Sequence, residues 1–357
     1  MITLNQHRKG ITQALLETFS DAVEVKDGFA AFFPSKTTSA KELSIEVQRN
    51  GKPIAVDVLR CTDPVRNTFD RSTEKIFVPP YFKEMFDFTS CDAYDVTFGA
   101  GNAPEGMTAG RLFESASSKL AALKDKIKRA IELQRAQVLQ TGIVILNNGD
   151  NIDFKRKAGS IVVKSVAGEK WTAPTTSDPV KDLQAGCDFL RSTGRSGSTT
   201  VNAIMGSAAY TNFKTSTKVQ AEADIRNINR IDLGMPMFDN VSGLAYQGQV
   251  GAGDFIVNIW TYNETYEDAS GTEQRYLATN NVVLLPEDFK GFTGFAGLPA
   301  VMGDAISGSQ YIGVLEAEFN IFDVIDQVRM SWEFMMHSAP LAVPVSIDRI
   351  YTLQTTS

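Results

Sequence analysis

Between Glu105 and Gly142 the apolar residues fall at Phe113, Ala116, Leu120, Leu123, Ile127, Ala130 and Ile131. This three-four spacing lays one apolar stripe along an α-helix. Pro104 suits a first helical turn, where its missing N–H costs nothing, and Gly142 suits the left-handed position just past a helix end. Within it only Gly106 and Gly110, both near the start, interrupt the stretch, and no proline does. At about 1.5 Å per residue the predicted helix is roughly 50 Å long, several times the usual globular length of about 11–12 residues. It is either the core helix of a large domain or a beam crossing a flat, elongated subunit.

Elsewhere the period shortens to two. Leu43, Ile45 and Val47 alternate with polar residues, Asn50-Gly51 marks a tight turn, and Ile54, Val56 and Val58 resume the alternation. A charged stretch, Cys61 to Lys75, follows before apolar character returns at Ile76 to Val78. The pattern predicts a long projecting hairpin with a charged tip. Tyr81 to Phe98 then lead back into the helix. Ahead of all this, Leu4 to Val23 form an amphipathic segment with Ile11, Ala14, Leu15 and Phe19 on one face. That face suits either the core or an arm lying on a neighbour.

After Gly142, Ile143–Leu146 and Ile152–Phe154 flank a turn at Asn147 to Asp150, and Ile161–Val166 predicts another strand. Asp178 and Pro179 start a helix as cap and first residue. Strands are predicted at Val201–Met205, Phe255–Tyr262 and Val282–Leu285, with a helix capped by Ser207, a polar helix near Val219–Ile228 and a turn at Asp268–Gly271. The tail reads as strands at Tyr311–Leu315, Val328–Met336 and Ser346–Leu353. The class is α+β: a first region interrupted by an inserted mixed region and completed by the tail.

Composition narrows the function. A formal net charge of −7 over 357 residues argues against a dedicated nucleic-acid binder, although it permits a protein that encloses nucleic acid without adhering to it. The start lacks a secretory core, and no run reaches the roughly 20 apolar residues of a membrane span. Cys61, Cys91 and Cys187 are odd in number and match neither a disulfide framework nor a zinc spacing.

Catalytic chemistry is sparse. The two histidines, His7 and His337, have no convincing partner set for a triad or a metal. Gly99-Ala100-Gly101, Gly251-Ala252-Gly253 and Gly194 to Gly197 read as turns or joints rather than phosphate loops. Carboxylate pairs such as Glu316 with Glu318, or Asp323 with Asp326, are ordinary in an acidic chain. No catalytic residue, metal or cofactor is therefore expected. The basic side of the long helix (Lys119, Lys124, Lys126, Lys128, Arg129 and Arg135) is either a solvated face or a surface meeting a neighbour or enclosed phosphates.

Several stretches, in order along the chain, resemble one family. They are Phe29–Val47, Phe77–Phe88, Val138–Phe154, Ser177–Gly186, Ile259–Leu285 and Met335–Gln354, the run Ser338-Ala339-Pro340-Leu341 being the most specific. The chain resembles tailed-phage major capsid proteins, and among them the phage lambda major head protein family. Loop lengths around Gly234–Gly253 and Gly291–Gly308 depart from that pattern.

The resemblance implies the tailed-phage major capsid fold, divided as an N-arm (1–40), an extended loop with spine helix and peripheral domain (41–175), an axial domain (176–310) and a returning tail (311–357). It implies a structural protein of the virion, assembled in the host cytoplasm from pentamers and hexamers of itself into an icosahedral shell around double-stranded DNA, with no membrane partner. A scaffolding protein, a portal and an optional decoration protein are the implied partners, the scaffold being separate because the chain begins directly with its N-arm. On this reading Asp63, Arg66, Asp70, Arg71 and Lys75 at the loop tip form inter-subunit charge pairs, and Lys119, Lys124, Lys126, Lys128 and Arg129 face a neighbour or DNA. The rival is an encapsulin-type compartment shell with the same fold and protein cargo. An enzyme or a tail component fits less well.

Overall fold

A computed structural model describes residues 25–47, 73–89, 105–146, 150–223, 231–232, 237–238, 242–268, 270–303, 310–326, 328–329 and 331–356. A 3-10 turn, Gly28–Phe32, leads into β1 (Ser35–Thr37), β2 (Leu43–Val47), β3 (Thr73–Phe77) and β4 (Phe82–Thr89). The long helix α1 (Glu105–Gln140) is followed by β5 (Ile143–Ile145), β6 (Asn151–Asp153) and β7 (Ile161–Val163). Next come α2 (Pro179–Ser192), β8 (Thr200–Met205), α3 (Ser207–Thr215) and α4 (Thr217–Ala223). Strands β9 (Ile231–Asp232), β10 (Met237–Phe238), β11 (Leu244–Ala252), β12 (Phe255–Tyr262), β13 (Thr265–Glu267), β14 (Glu273–Arg275) and β15 (Asn281–Pro286) complete the middle of the chain. The remainder is β16 (Gly291–Phe295), β17 (Leu298–Gly303), β18 (Gln310–Leu315), β19 (Asn320–Asp326), β20 (Ser331–Ser338), β21 (Pro340–Pro344) and β22 (Tyr351–Gln354).

The largest sheet has the order β10-β11-β12-β8-β15-β22-β7, with β9 beside β11. One face packs on α2 through Val180, Leu183, Cys187 and Leu190. The other face, including Ile204, Val283 and Leu285, joins the core that holds Ala136, Val138 and Leu139 of α1. Burial on both faces explains why β15 carries the unbroken apolar run Val282–Leu285, all six strand residues Asn281–Pro286 being buried. The tail strand β22 sits inside this sheet, antiparallel to β15 and parallel to β7. A second sheet, β19-β20-β4, pairs the tail with the strand just ahead of α1. Its inner face places Phe86, Phe88, Phe334 and Met336 against Leu120, Leu123, Ile127 and Ile131 of α1. Parallel pairing of β1 with β16, and antiparallel pairing of β16 with β21, tie the first described segment to the tail.

The end of α1 follows the sequence signal. Gly142 adopts φ +76°, and its N–H reaches the Val138 carbonyl at 2.9 Å. Arg156 finishes the closure: it donates to the carbonyls of Leu139 and Gln140, each at 3.1 Å, and to those of Ser160 and Ile350, each at 3.0 Å. Burial lowers its pKa to about 10, so it stays charged at neutral pH and binds the helix end to the tail. At α2, Asp178 caps as expected, accepting from the Lys181 N–H at 3.2 Å, with Pro179 first in the helix.

Four expectations change. Ser207 does not cap α3; the cap is Gly206 without a side-chain bond, because a Cβ there would lie 2.4 Å from the Ala278 carbonyl. Residues 82–89 are a strand rather than a lead-in. The tail strand expected from Val328 begins at Ser331, because Asp326 accepts from the N–H groups of Val328 and Arg329 and bends the chain into a turn. The strand expected from Ser346 opens instead with a 3-10 turn, Ile347–Arg349. Helix α4 covers Thr217–Ala223 of the expected 219–228; Leu4–Val23 and Asp63, Arg66, Asp70 and Arg71 lie outside the described residues.

Candidate inter-subunit surfaces

Of the predicted hairpin, the paired strands β2 and β3 are among the described residues. β2 and β3 pair antiparallel, with Leu43 opposite Phe77 and Ile45 opposite Lys75, so Lys75 lies on the arm rather than at the tip. Phe77 packs on Phe154, ring centroids 5.0 Å apart, which ties the hairpin base to the β5–β6 hairpin after α1.

The basic residues of α1 divide by partner. Lys119 lies over the rings of Phe88 and Phe86, 4.2 and 5.6 Å from their centroids, and Lys124 lies 5.8 Å over Phe319. Lys126 donates to Glu84 of β4 at 2.8 Å. These three fasten the helix to the small sheet within the subunit, although Lys119 and Lys126 remain solvent-exposed. Lys128 and Arg129 flank Asp125, whose pKa burial raises while the nearby cations oppose the shift. Arg129 lines a cavity of about 240 Å³ with Lys26, Glu264 and Tyr276. Arg135 departs from the predicted basic side: it is buried against Glu132 at 3.2 Å, because the last turns of α1 enter the core.

The small sheet has a second, open face that sequence reading missed. Cross-strand register places Met85, Met335 and Phe322 in one row and Asp87, Glu333 and Val324 in the next. Met85 is 56% exposed and Val324 42%. Asp87 and Glu333 stand directly opposite each other, an arrangement that costs energy in an isolated sheet, and neither forms an ion pair among the described residues. A third row holds Lys83, His337 and Asn320. His337 contacts the Tyr81 hydroxyl through Nδ1 and packs 4.2 Å from the Phe322 ring. Burial, then Lys83, holds its pKa below the ordinary value, so the ring is neutral at physiological pH. It organises the surface and has no catalytic partner set among the described residues. The period-two pattern of Phe82, Phe86 and Phe88 was the available signal for this sheet.

A further open apolar face lies on the β17–β18 hairpin, where Val301 pairs with Ile312 and Pro299 with Val314. Ile312 is 84% exposed. Among the described residues no group of three or more His, Cys, Asp or Glu side chains is arranged for a metal, and no helix is long and apolar enough to cross a membrane.

This fold, a long helix with a sheet along one face and a tail returning through both sheets, superposes on solved structures. A protein described as a prophage capsid protein of Escherichia coli CFT073 superposes with a TM-score of 0.61 at 18% identity, covering 95% of this chain and 97% of that one. A phage-related protein from Bordetella bronchiseptica RB50 gives 0.53 at 12% identity, covering 96% of each chain. At these identities the likeness concerns the fold, which is the tailed-phage major capsid fold. No curated protein sequence matches the chain. The family described as phage major capsid protein E matches residues 12–355. A match over nearly the whole length, on this fold, makes the chain a member of the phage major capsid protein E family, a structural component of the virion.

Proposed function

We propose that copies of this chain close head to tail into pentamers and hexamers and tile an icosahedral shell around double-stranded DNA. The division is an N-arm (1–40), an extended loop with spine helix and peripheral domain (41–175), an axial domain (176–310) and a returning tail (311–357). The observation that carries this reading is the open face of the β4–β20–β19 sheet. Its Met85 row is apolar and open to solvent at Met85, and its opposed carboxylates have no cation partner among the described residues. Such a surface is relieved when a neighbour covers it. The projecting loop, with Arg66 and Arg71 among its charged residues, is the neighbour's element we assign to it. Asp63, Asp70 and Lys75 complete that loop's charge pairs. Lys128 and Arg129 are the residues of the α1 basic face left to meet a neighbour or DNA.

Assembly in the host cytoplasm would involve a scaffolding protein and a portal, with a decoration protein optional. No membrane, metal or cofactor takes part, and the chain is not an enzyme. The test is Arg66→Glu combined with Arg71→Glu, followed by negative-stain electron microscopy and sedimentation. The expected product is soluble rings that do not close, whereas closed shells would overturn the assignment of the loop tip. Wild-type shells containing protein cargo and no DNA would overturn the DNA-enclosing reading.

A further inference from the structure

β17 and β18 form a two-stranded ribbon with no third strand among the described residues. Its base is fixed to the body. Leu298 is fully buried in a cluster with Ala296 and Ala339, and the Gly297 N–H donates to the Ala40 carbonyl at 2.9 Å. A Cβ at Gly297 would lie 2.4 Å from the Ser39 carbonyl oxygen, so only glycine fits where the chain enters the ribbon. The register then sets what faces outward. Pro299 stands opposite Val314, and Ile312, two residues earlier, lies on the same face. Pro299 is exposed, and Ile312 and Val314 are 84% and 54% exposed.

The ribbon also lacks charge. Neither Leu298–Gly303 nor Gln310–Leu315 holds an Asp, Glu, Lys, Arg or His. Open strands are ordinarily shielded by charged side chains, lysine above all. On a chain of net charge −7, two identical copies repel unless the surfaces that meet are neutral. The missing charge therefore suits the ribbon to one partner in particular, the same ribbon on a second copy. The open face of the β4–β20–β19 sheet is unlike it: Asp87 and Glu333 would repel their own copies and call for a cationic partner.

Size sets how strong the contact can be. Six residues at about 3.3 Å each, in two strands about 4.8 Å apart, give a face of roughly 200 Å². A stable complex buries about 800 Å² per partner. The ribbon alone does not hold two free subunits together, but repeated over a shell it adds to contacts made elsewhere.

We propose that the β17–β18 ribbons of two copies meet face to face about a local two-fold axis, Ile312 beside Ile312. A contact between identical patches closes on two copies, so it cannot build a ring of five or six. In a capsid, and resting on that reading, it joins one ring to the next.

Ile312→Cys in the full-length protein tests the contact, and urea unfolding should match wild type because the position is 84% exposed. A short bismaleimide linker, applied to particles and to concentrated soluble protein, should yield a covalent dimer well above the wild-type background from Cys61, Cys91 and Cys187. No excess dimer, or a ladder beyond dimer that wild type lacks, would overturn the proposal. Ile312→Lys and Ile312→Glu should each stop rings from joining into shells. Expressed together they should raise the yield of closed shells above either alone, since unlike charges then meet across the axis. Closed shells from either variant alone, or no gain from the mixture, would also overturn it. The crosslink needs no shell, so failure of the ribbon contact stays distinct from failure of the capsid reading.

Discussion

The two ends of the described part of α1 do different work. Between Ala116 and Ala130 the helix packs Leu120 and Ile127 under the β4–β20–β19 sheet, while Ser118, Lys119, Ala122, Lys126 and Arg129 stay exposed. From Ile131 to Leu139 it is surrounded: Glu132, Gln134, Arg135, Ala136, Val138 and Leu139 are all buried. The first stretch is a beam carrying a sheet whose other face is open. The second is a peg inside the core, where polar side chains must find partners. The difference shows how one helix can join a face left for neighbours to a body that holds its shape.

The sharpest way to break this comparison is at the peg. Arg135→Leu leaves the buried Glu132 without its guanidinium partner at 3.2 Å, and removing one partner of a buried pair costs about 3–5 kcal/mol. Urea unfolding of the purified protein measures the loss. It should be larger at pH 8 than at pH 6, because burial pushes Glu132 up to about 7 and the protonated carboxyl no longer needs the guanidinium. A loss below about 1 kcal/mol would mean that the peg tolerates unpaired charge as a surface does. At the beam the corresponding change is Leu120→Ala, which removes a fully buried side chain packed in the cluster with Phe334 and Ile127. It is expected to cost about 3 kcal/mol. The same measurement checks it, and here pH should not change the result.

Much of this was legible in the sequence, because local chemistry determined it. The three-four stripe and the Pro104–Gly142 bracket located α1, Asp178-Pro179 marked the start of α2, and the apolar run Val282–Leu285 marked a strand. The elements missed depend on distant partners. β11, rich in Gly and Gln, is a strand because β12 on one side and β9 and β10 on the other complete its hydrogen bonding. Arg156 looks like a surface residue until Ser160, Ile350 and the end of α1 converge on it. Arg135 sits in sequence among residues of the exposed basic side, and only the burial of the last helical turns separates it from them. The open sheet face depends on the register of β4, β20 and β19, which periodicity alone does not fix.

The smallest expected effect discriminates best between the two roles of the beam's basic side. Lys126 pairs with Glu84 at 2.8 Å but is 63% exposed at the side chain. An exposed pair of this kind contributes about 0–1 kcal/mol, and at 1 M salt, where charges are screened beyond roughly 3 Å, it contributes less. Lys126→Met should therefore leave unfolding nearly unchanged and its small effect should fade with salt. Because the fold is then intact, shell assembly of the same variant becomes a clean readout. Normal shells would show that Lys126 serves the subunit's own sheet. Failure to assemble, despite unchanged stability, would show that this exposed side of α1 also meets a neighbour or the enclosed nucleic acid.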